Sequence, residues 1–294
     1  MRSPLNPARE QEIVELAEAV AAHHCPDGTV CPLKILRDEK IDHAVGAYGE
    51  KTFDGMIEYR NGRFFVYCNR DRESLPHLPR GRFTLAHELG HYFIPEHKRA
   101  LERGTPRHQS KCGLFDGQGI KEEMEADIFA ANLLMPPSRF RVEMDKRKNR
   151  SPLDAILELK DHFKTSIVST AIQFTPNHPD VVAMMKWNAD ALAWKRVQDK
   201  YFLTQRYRQW KLESPEGLPR ESATRAALEN TDDNRSVRES VLTASFCFQQ
   251  VACAGDRDLI LLEQAVRLGN YGALTILSLH PQFKPTVRPA ATRR

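Results

Sequence analysis

The chain has 294 residues, of which 41% are hydrophobic and 28% charged, and its net charge is +4. That balance excludes global disorder and the strongly basic character of a protein that coats nucleic acid, and the length suits one large domain or two modest ones. With no run of about 18 apolar residues and no apolar core in the first 30 residues, neither a membrane span nor a secretory signal is expected, so the expected location is cytoplasmic.

In chain order, residues 9–24 carry Ile13, Leu16, Ala17 and Val20 at helical spacing, and Pro26, Asp27 and Gly28 then break the pattern. Residues 53–69 place Asn61-Gly62 between two β-rich runs, the signature of a two-residue hairpin turn. A helix is predicted over 79–94, then a loop over 95–119, then a second helix over 121–135 that stops at Pro136-Pro137. Residues 138–150 are basic and are expected to be a solvated face, and another helix is predicted from Ser151 or Pro152 to Lys164. Two strands, VVAMMKWN and ALAWKRV, are expected on either side of 188–190. A polar linker is expected over about 211–240, a helix over 256–269 and a strand over 273–279. The six cysteines, Cys25, Cys31, Cys68, Cys112, Cys247 and Cys253, do not form a disulfide scaffold and are expected as reduced thiols.

The chemistry concentrates at His87-Glu88-Leu89-Gly90-His91. On a helix, positions i and i+4 share a face, so His87 and His91 can bind one Zn2+. Glu88, one residue after the first ligand, is placed to act as a general base. Phe83, Leu85, Ala86, Leu89 and Phe93 supply the apolar packing of a buried helix, and Gly90 leaves room for a close neighbour.

A catalytic zinc needs a third protein ligand, and two candidates exist. His97 lies six residues after His91, the metzincin spacing, but that pattern turns the chain on a glycine where this sequence has Ile94 followed by Pro95. Alternatively, KEEMEADIFAANLLMP over 121–136 puts Glu123 and Asp127 on one helix face. Glu123 would then ligate zinc, and Asp127 would accept the second N–H of a ligating histidine. Ala126, Ala130 and Ala131 would let this helix pack closely against the first. For the oxyanion of a peptidase, Tyr92, His97 and His108 are the candidate donors or substrate contacts.

RFTLAHELGH followed by E-x-E-A-D-x-F-A-A-x-L-L-M-P resembles the ImmA/IrrE family of zinc metallopeptidases, over about residues 10–200 and most strongly over 82–136. The resemblance implies an α+β, zincin-like fold with a small twisted sheet, and zinc ligands His87, His91 and Glu123 with Glu88 catalytic. It implies a regulatory endopeptidase over 1–205 whose protein substrate is a helix-turn-helix transcriptional repressor. Residues 206–294 form a smaller C-terminal α+β region without a motif. Zn2+ is the expected metal, and the ligand set also tolerates Mn2+. A different class of function, a zinc-containing module that acts by protein–protein contact without proteolysis, is disfavoured by the intact Glu88. Direct nucleic-acid binding is not expected, because residues 151–174 are the sole weak helix-turn-helix candidate.

Overall fold

The computed structural model describes residues 5–104, 108–110, 121–198, 207–230, 236–250 and 258–283. Two compact units result, one of residues 1–149 with 155–173 and one of residues 150–154 with 174–294. Cys112 and Cys253 lie outside the described residues.

In the first unit, α1 (Pro7–His24) begins at Pro7, with the Asn6 side chain accepting from the Ala8 N–H, and buries Ile13, Ala17, Val20 and Ala21. Next come α2 (Pro32–Asp38) and β1 (Asp42–Gly46). Asn61 and Gly62 both have positive φ, 52° and 75°. Such a turn matches the right-handed twist of its flanking strands, and it joins β2 (Gly55–Arg60) to β3 (Arg63–Asn69) as the sequence predicts. Phe64, Val66 and Cys68 of β3 alternate inward to the core. β1 pairs parallel with β3, and β4 (His108–Ser110) pairs antiparallel with β2, giving the order β1-β3-β2-β4.

On this sheet lies α3 (Pro79–Phe93), buried continuously from Gly81 to His91. The expected loop over 95–119 instead begins with a helix, α4 (Pro95–Glu102). Proline disfavours the helical region for the residue before it, and Ile94 is extended at φ −72° and ψ 115°. The chain thus leaves one helix and starts the next at Pro95, with no need of a left-handed turn, and His97 and Leu101 face inward. After α4 come α5 (Lys121–Leu134), α6 (Pro137–Lys146), α7 (Pro152–Phe163) and α8 (Ile167–Phe174). The basic stretch is partly committed to the fold: Arg139 donates to the carbonyls of Gly28 and Ala21, and Arg147 pairs with Glu143 and Glu158.

The second unit holds an antiparallel sheet of order β6-β5-β11-β10-β8. Its strands are β5 (Val181–Trp187), β6 (Leu192–Val197), β8 (Arg238–Thr243), β10 (Ile260–Arg267) and β11 (Ala273–Leu279). A separate pair is formed by β7 (Tyr207–Trp210) and β9 (Phe248–Gln250). The expected boundary near 205 is therefore displaced: β5 and β6 are joined to β11 and belong with the C-terminal unit. Gln264 draws residues 150–154 into the same unit, accepting from the Leu153 N–H at 3.0 Å and donating to Ser151 Oγ at 2.8 Å.

Two further expectations change. The predicted helix over 256–269 is a strand where it is described, because β10 lies between β8 and β11 and tertiary pairing overrides the helical leaning of Leu, Glu, Gln and Ala. The predicted linker over 211–240 contains α9 (Ala223–Glu229), packed on β10, and the start of β8. A short helix α10 (Ala244–Cys247) follows β8. Glu263 of β10 explains the α9 contact. Its buried carboxylate accepts from Ser222 Oγ at 2.9 Å, the Ala223 N–H at 2.8 Å and Thr224 Oγ1 at 2.6 Å, and also from Ser240 Oγ.

Truncating one partner of such a buried network leaves the others unsatisfied, at about 2–4 kcal/mol. Glu263→Ala is expected to lower the unfolding free energy by that amount, and Glu263→Gln to recover part of the loss, both readable in urea titrations followed by tryptophan fluorescence.

Candidate metal and catalytic site

Four contacts aim α3. Pro79 occupies its first turn, and the Arg80 guanidinium donates to the fully buried Asp54 carboxylate at 2.9 Å, beside Arg72 at 2.6 Å. Arg82 donates to the Lys164 carbonyl at 3.0 Å and the Val30 carbonyl at 2.7 Å. Arg82 is thus a structural tie, and burial pushes its guanidinium pKa down.

Helical spacing then delivers the two ring nitrogens. Nε2 of His87 and Nε2 of His91 lie 3.1 Å apart, with both residues 1% exposed. Glu123 of α5 places Oε2 3.4 Å from the first nitrogen and Oε1 3.4 Å from the second. Three donors bound at about 2.0–2.1 Å to one tetrahedral ion would stand about 3.3–3.4 Å from one another. The spacing and the two-imidazole, one-carboxylate chemistry of His87, His91 and Glu123 thus fit a zinc-type ion. Burial alone would raise the Glu123 pKa, but hydrogen bonding to His87 and His91 outweighs it and holds the carboxyl well below the usual carboxylate range.

Their approach depends on small residues where α3 meets α5. A Cβ added at Gly90 would stand 3.1 Å from Ala126 Cα and 3.3 Å from its Cβ and carbonyl oxygen. Gly90 and Ala126 therefore set the separation of the helix that carries both histidines from the helix that carries Glu123. The i,i+4 reading of α5 also holds geometrically: Asp127 Oδ1 lies 2.8 Å from His87 Nδ1, the nitrogen remote from the cluster.

His97 occupies a different position from the ligand-like one considered above. Its Nδ1 lies 3.1 Å from Nδ1 of His91, and its Nε2 lies 3.1 Å from Glu125 Oε2. Burial lowers the His97 pKa, against the opposing pull of Glu125. Glu125 in turn accepts from Arg9 Nε at 3.1 Å and Nη2 at 2.9 Å. Sequence reasoning left Glu125 and Arg9 unassigned. Glu125 projects from another face of α5 than Glu123 and Asp127, and Arg9 is 116 residues away from it, so no local spacing could have joined them.

Glu88 is fully buried beside β2. A Cβ on Gly55 would come within 2.6 Å of Glu88 Oε1 and 2.4 Å of Thr84 Cγ2, so a glycine there is what admits the carboxylate. The strand edge next to Glu88 is not open at this point, because Gly55, Met56 and Ile57 of β2 are opposite Ser110, Gln109 and His108 of β4. β1 likewise covers β3 over 42–46. A substrate strand therefore has no open edge of the hairpin to join over these residues.

Of the oxyanion candidates, Tyr92 donates to Glu39 Oε2 at 2.9 Å, and burial together with Glu39 pushes its pKa up to about 12. His97 is engaged by His91 and Glu125. The His108 side chain lies outside the described residues, although its backbone is part of β4.

Gly90→Val should force Ala126 and α5 outward and separate Glu123 from the histidines. We expect bound zinc to fall well below one equivalent in metal analysis, with far-ultraviolet circular dichroism unchanged. Full metal content in that variant would show that the helix spacing does not govern the cluster.

Among curated proteins none matches the sequence. A solved structure described as a Mycobacterium tuberculosis transcriptional regulator shares the fold at TM-score 0.53 and 11% identity, over 92% of this chain and 78% of that one. Residues 73–175, which hold α3, α4 and α5, match the Peptidase_M78 family, described as the IrrE N-terminal-like domain. A helix bearing two histidines and a glutamate, packed through Gly90 on a helix bearing a third donor, thus lies in a segment that matches the IrrE N-terminal-like domain, a metallopeptidase family model.

Proposed function

We propose that the chain is a zinc-dependent endopeptidase whose substrate is a helix-turn-helix transcriptional repressor. The observation that carries the peptidase reading is the convergence of His87, His91 and Glu123 on one point beside a fully buried Glu88. In this reading His87, His91 and Glu123 hold the metal, and Mn2+ could replace Zn2+ in the same donor set. Bound there, the ion supplies Lewis-acid stabilisation and makes water more acidic.

This chain's own residues do the rest. Glu88 accepts a proton from the attacking water as the water oxygen bonds to the scissile carbonyl carbon. As the carbon–nitrogen bond breaks, Glu88 returns that proton to the leaving amine, so it ends as it began. Gly55 gives the Glu88 carboxylate its place, and Asp127 keeps the His87 ring in the orientation that turns Nε2 to the cluster. Neither Tyr92 nor His97 is a ready oxyanion donor, because each already has partners within the fold.

The repressor reading rests on the ImmA/IrrE resemblance, and a cytoplasmic location follows from the same resemblance. The absence, among the described residues, of a helix long and apolar enough to cross a membrane is compatible with it. Surfaces for docking a folded substrate include α4 and the basic residues of 139–150 that the fold leaves exposed.

Glu88→Gln keeps the side-chain shape and should retain one zinc per chain while hydrolysis falls by about 10²–10⁴-fold. Glu123→Ala should instead lose the metal. Retained hydrolysis in the Glu88 variant would remove the base from the mechanism, and protein-partner binding without any zinc-dependent cleavage would favour the non-proteolytic module.

Remote binding energy that orients a scissile bond is lost when the substrate is shortened. Full-length repressor should therefore be cut at one main site, with kcat/KM well above that of a short peptide spanning the site. Equal values, or efficient digestion of unrelated unfolded proteins, would show that docking does not set specificity.

A further inference from the structure

The two histidines of the cluster are supported differently. His87 Nδ1 meets the Asp127 carboxylate directly at 2.8 Å. His91 Nδ1 meets a second imidazole, that of His97 at 3.1 Å, and only beyond it a carboxylate, Glu125 at 3.1 Å. Once His91 turns the Nε2 lone pair toward a metal, its proton must reside on Nδ1. His97 Nδ1 must then accept, which places the His97 proton on Nε2, where Glu125 Oε2 accepts it. Both Glu125 oxygens also accept from Arg9, at 3.1 and 2.9 Å. Every role in this series follows from the first.

Burial makes the series consequential. His97 is 6% exposed and Glu125 2%, so neither can fall back on bulk water for a missing partner. Arg9, on α1, supplies the positive charge that compensates Glu125, and it also pairs with Glu96 of α4 at 3.0 Å. The relay therefore joins α1, α4 and α5 to the second histidine of α3. His97 adds no ligand atom to the cluster, because both of its nitrogens are used within the relay.

We propose that His97, Glu125 and Arg9 are positioning residues that hold His91 in the Nδ1–H tautomer and thereby raise the affinity of the site for its metal. This rests on the reading of His87, His91 and Glu123 as metal ligands. Loss of such outer contacts typically weakens metal binding about 10–100-fold.

The test uses the full chain, stripped of metal and titrated with Zn2+ against a chromophoric chelator. His97→Ala should bind Zn2+ about 10–100-fold more weakly than the unaltered chain. Arg9→Ala should be weaker in the same direction, and should add little once His97 is already alanine. A general loosening of the fold could also lower affinity, so the same His97→Ala change is repeated in a His91→Ala background. There it should alter the dissociation constant less than about twofold, since the ring it positions is gone. Proton–nitrogen correlation spectra of the zinc-loaded chain provide a second, independent readout. They should show His91 protonated on Nδ1 and His97 on Nε2. Unchanged affinity in His97→Ala, an undiminished penalty in the His91→Ala background, or His97 protonated on Nδ1 would overturn the relay. Failure of the unaltered chain to bind Zn2+ at all would instead overturn the metal reading, and the relay with it.

Discussion

The structure depends on keeping polar ring nitrogens and carboxylates out of water while giving most of them partners within the fold. His87, Glu88, His91, His97 and Glu125 are all buried within the first unit. An uncompensated buried charge costs several kcal/mol, comparable with a large part of the stability of a domain. The geometry of α3, α4 and α5 follows from meeting that demand. α3 supplies two rings at helical spacing, α5 supplies Glu123 and Asp127 from one face and Glu125 from another, and α4 returns a third imidazole to His91. Apolar packing by Leu85, Leu89, Phe129 and Leu133 holds the helices together, but it is non-directional. The hydrogen-bonded groups set the rotation and register at which the helices meet.

Close approach is the second requirement, and it is met by omission of side chains. Gly90 admits the backbone of Ala126, and Gly55 admits the carboxylate of Glu88. These two positions bring a neighbouring helix and a neighbouring strand to the same helix, one beside His87 and His91 and one beside Glu88. Asp54, adjacent to Gly55, is anchored by Arg72 and Arg80, so the strand position is tied to the start of α3.

Much of this was legible where the signal is local. Asn61-Gly62 can serve only a narrow class of turn, and the hairpin followed. His87 with His91, and Glu123 with Asp127, are each one helical turn apart, and both pairs proved to share a face. Long-range partners carry no such mark. Glu125 and Arg9 meet across 116 residues, and nothing near either residue encodes the other. Where tertiary pairing overrides local preference the reading also failed: β10 has helix-forming composition but lies centrally in a sheet. Charge misled in the same region, since Glu263 looks like a surface residue and is instead the acceptor that gathers the start of α9. The displaced boundary has the same origin, because β5, which carries β6 with it, finds its partner in β11, nearly a hundred residues later in the chain.

The family match begins at residue 73, yet the strand against which Glu88 packs lies at 55–60 and the arginine that compensates Glu125 is residue 9. The unit of recognisable ancestry is therefore smaller than the unit that folds. An excised 73–175 fragment would carry His87, Glu88, His91, Glu123, Glu125 and Asp127, but it would lack the strand beside Glu88 and the arginine paired with Glu125. Substitutions in α1 or β2, outside the matched segment, can thus reach the surroundings of Glu88 and His97, and variation there has to be weighed together with variation in the motif itself.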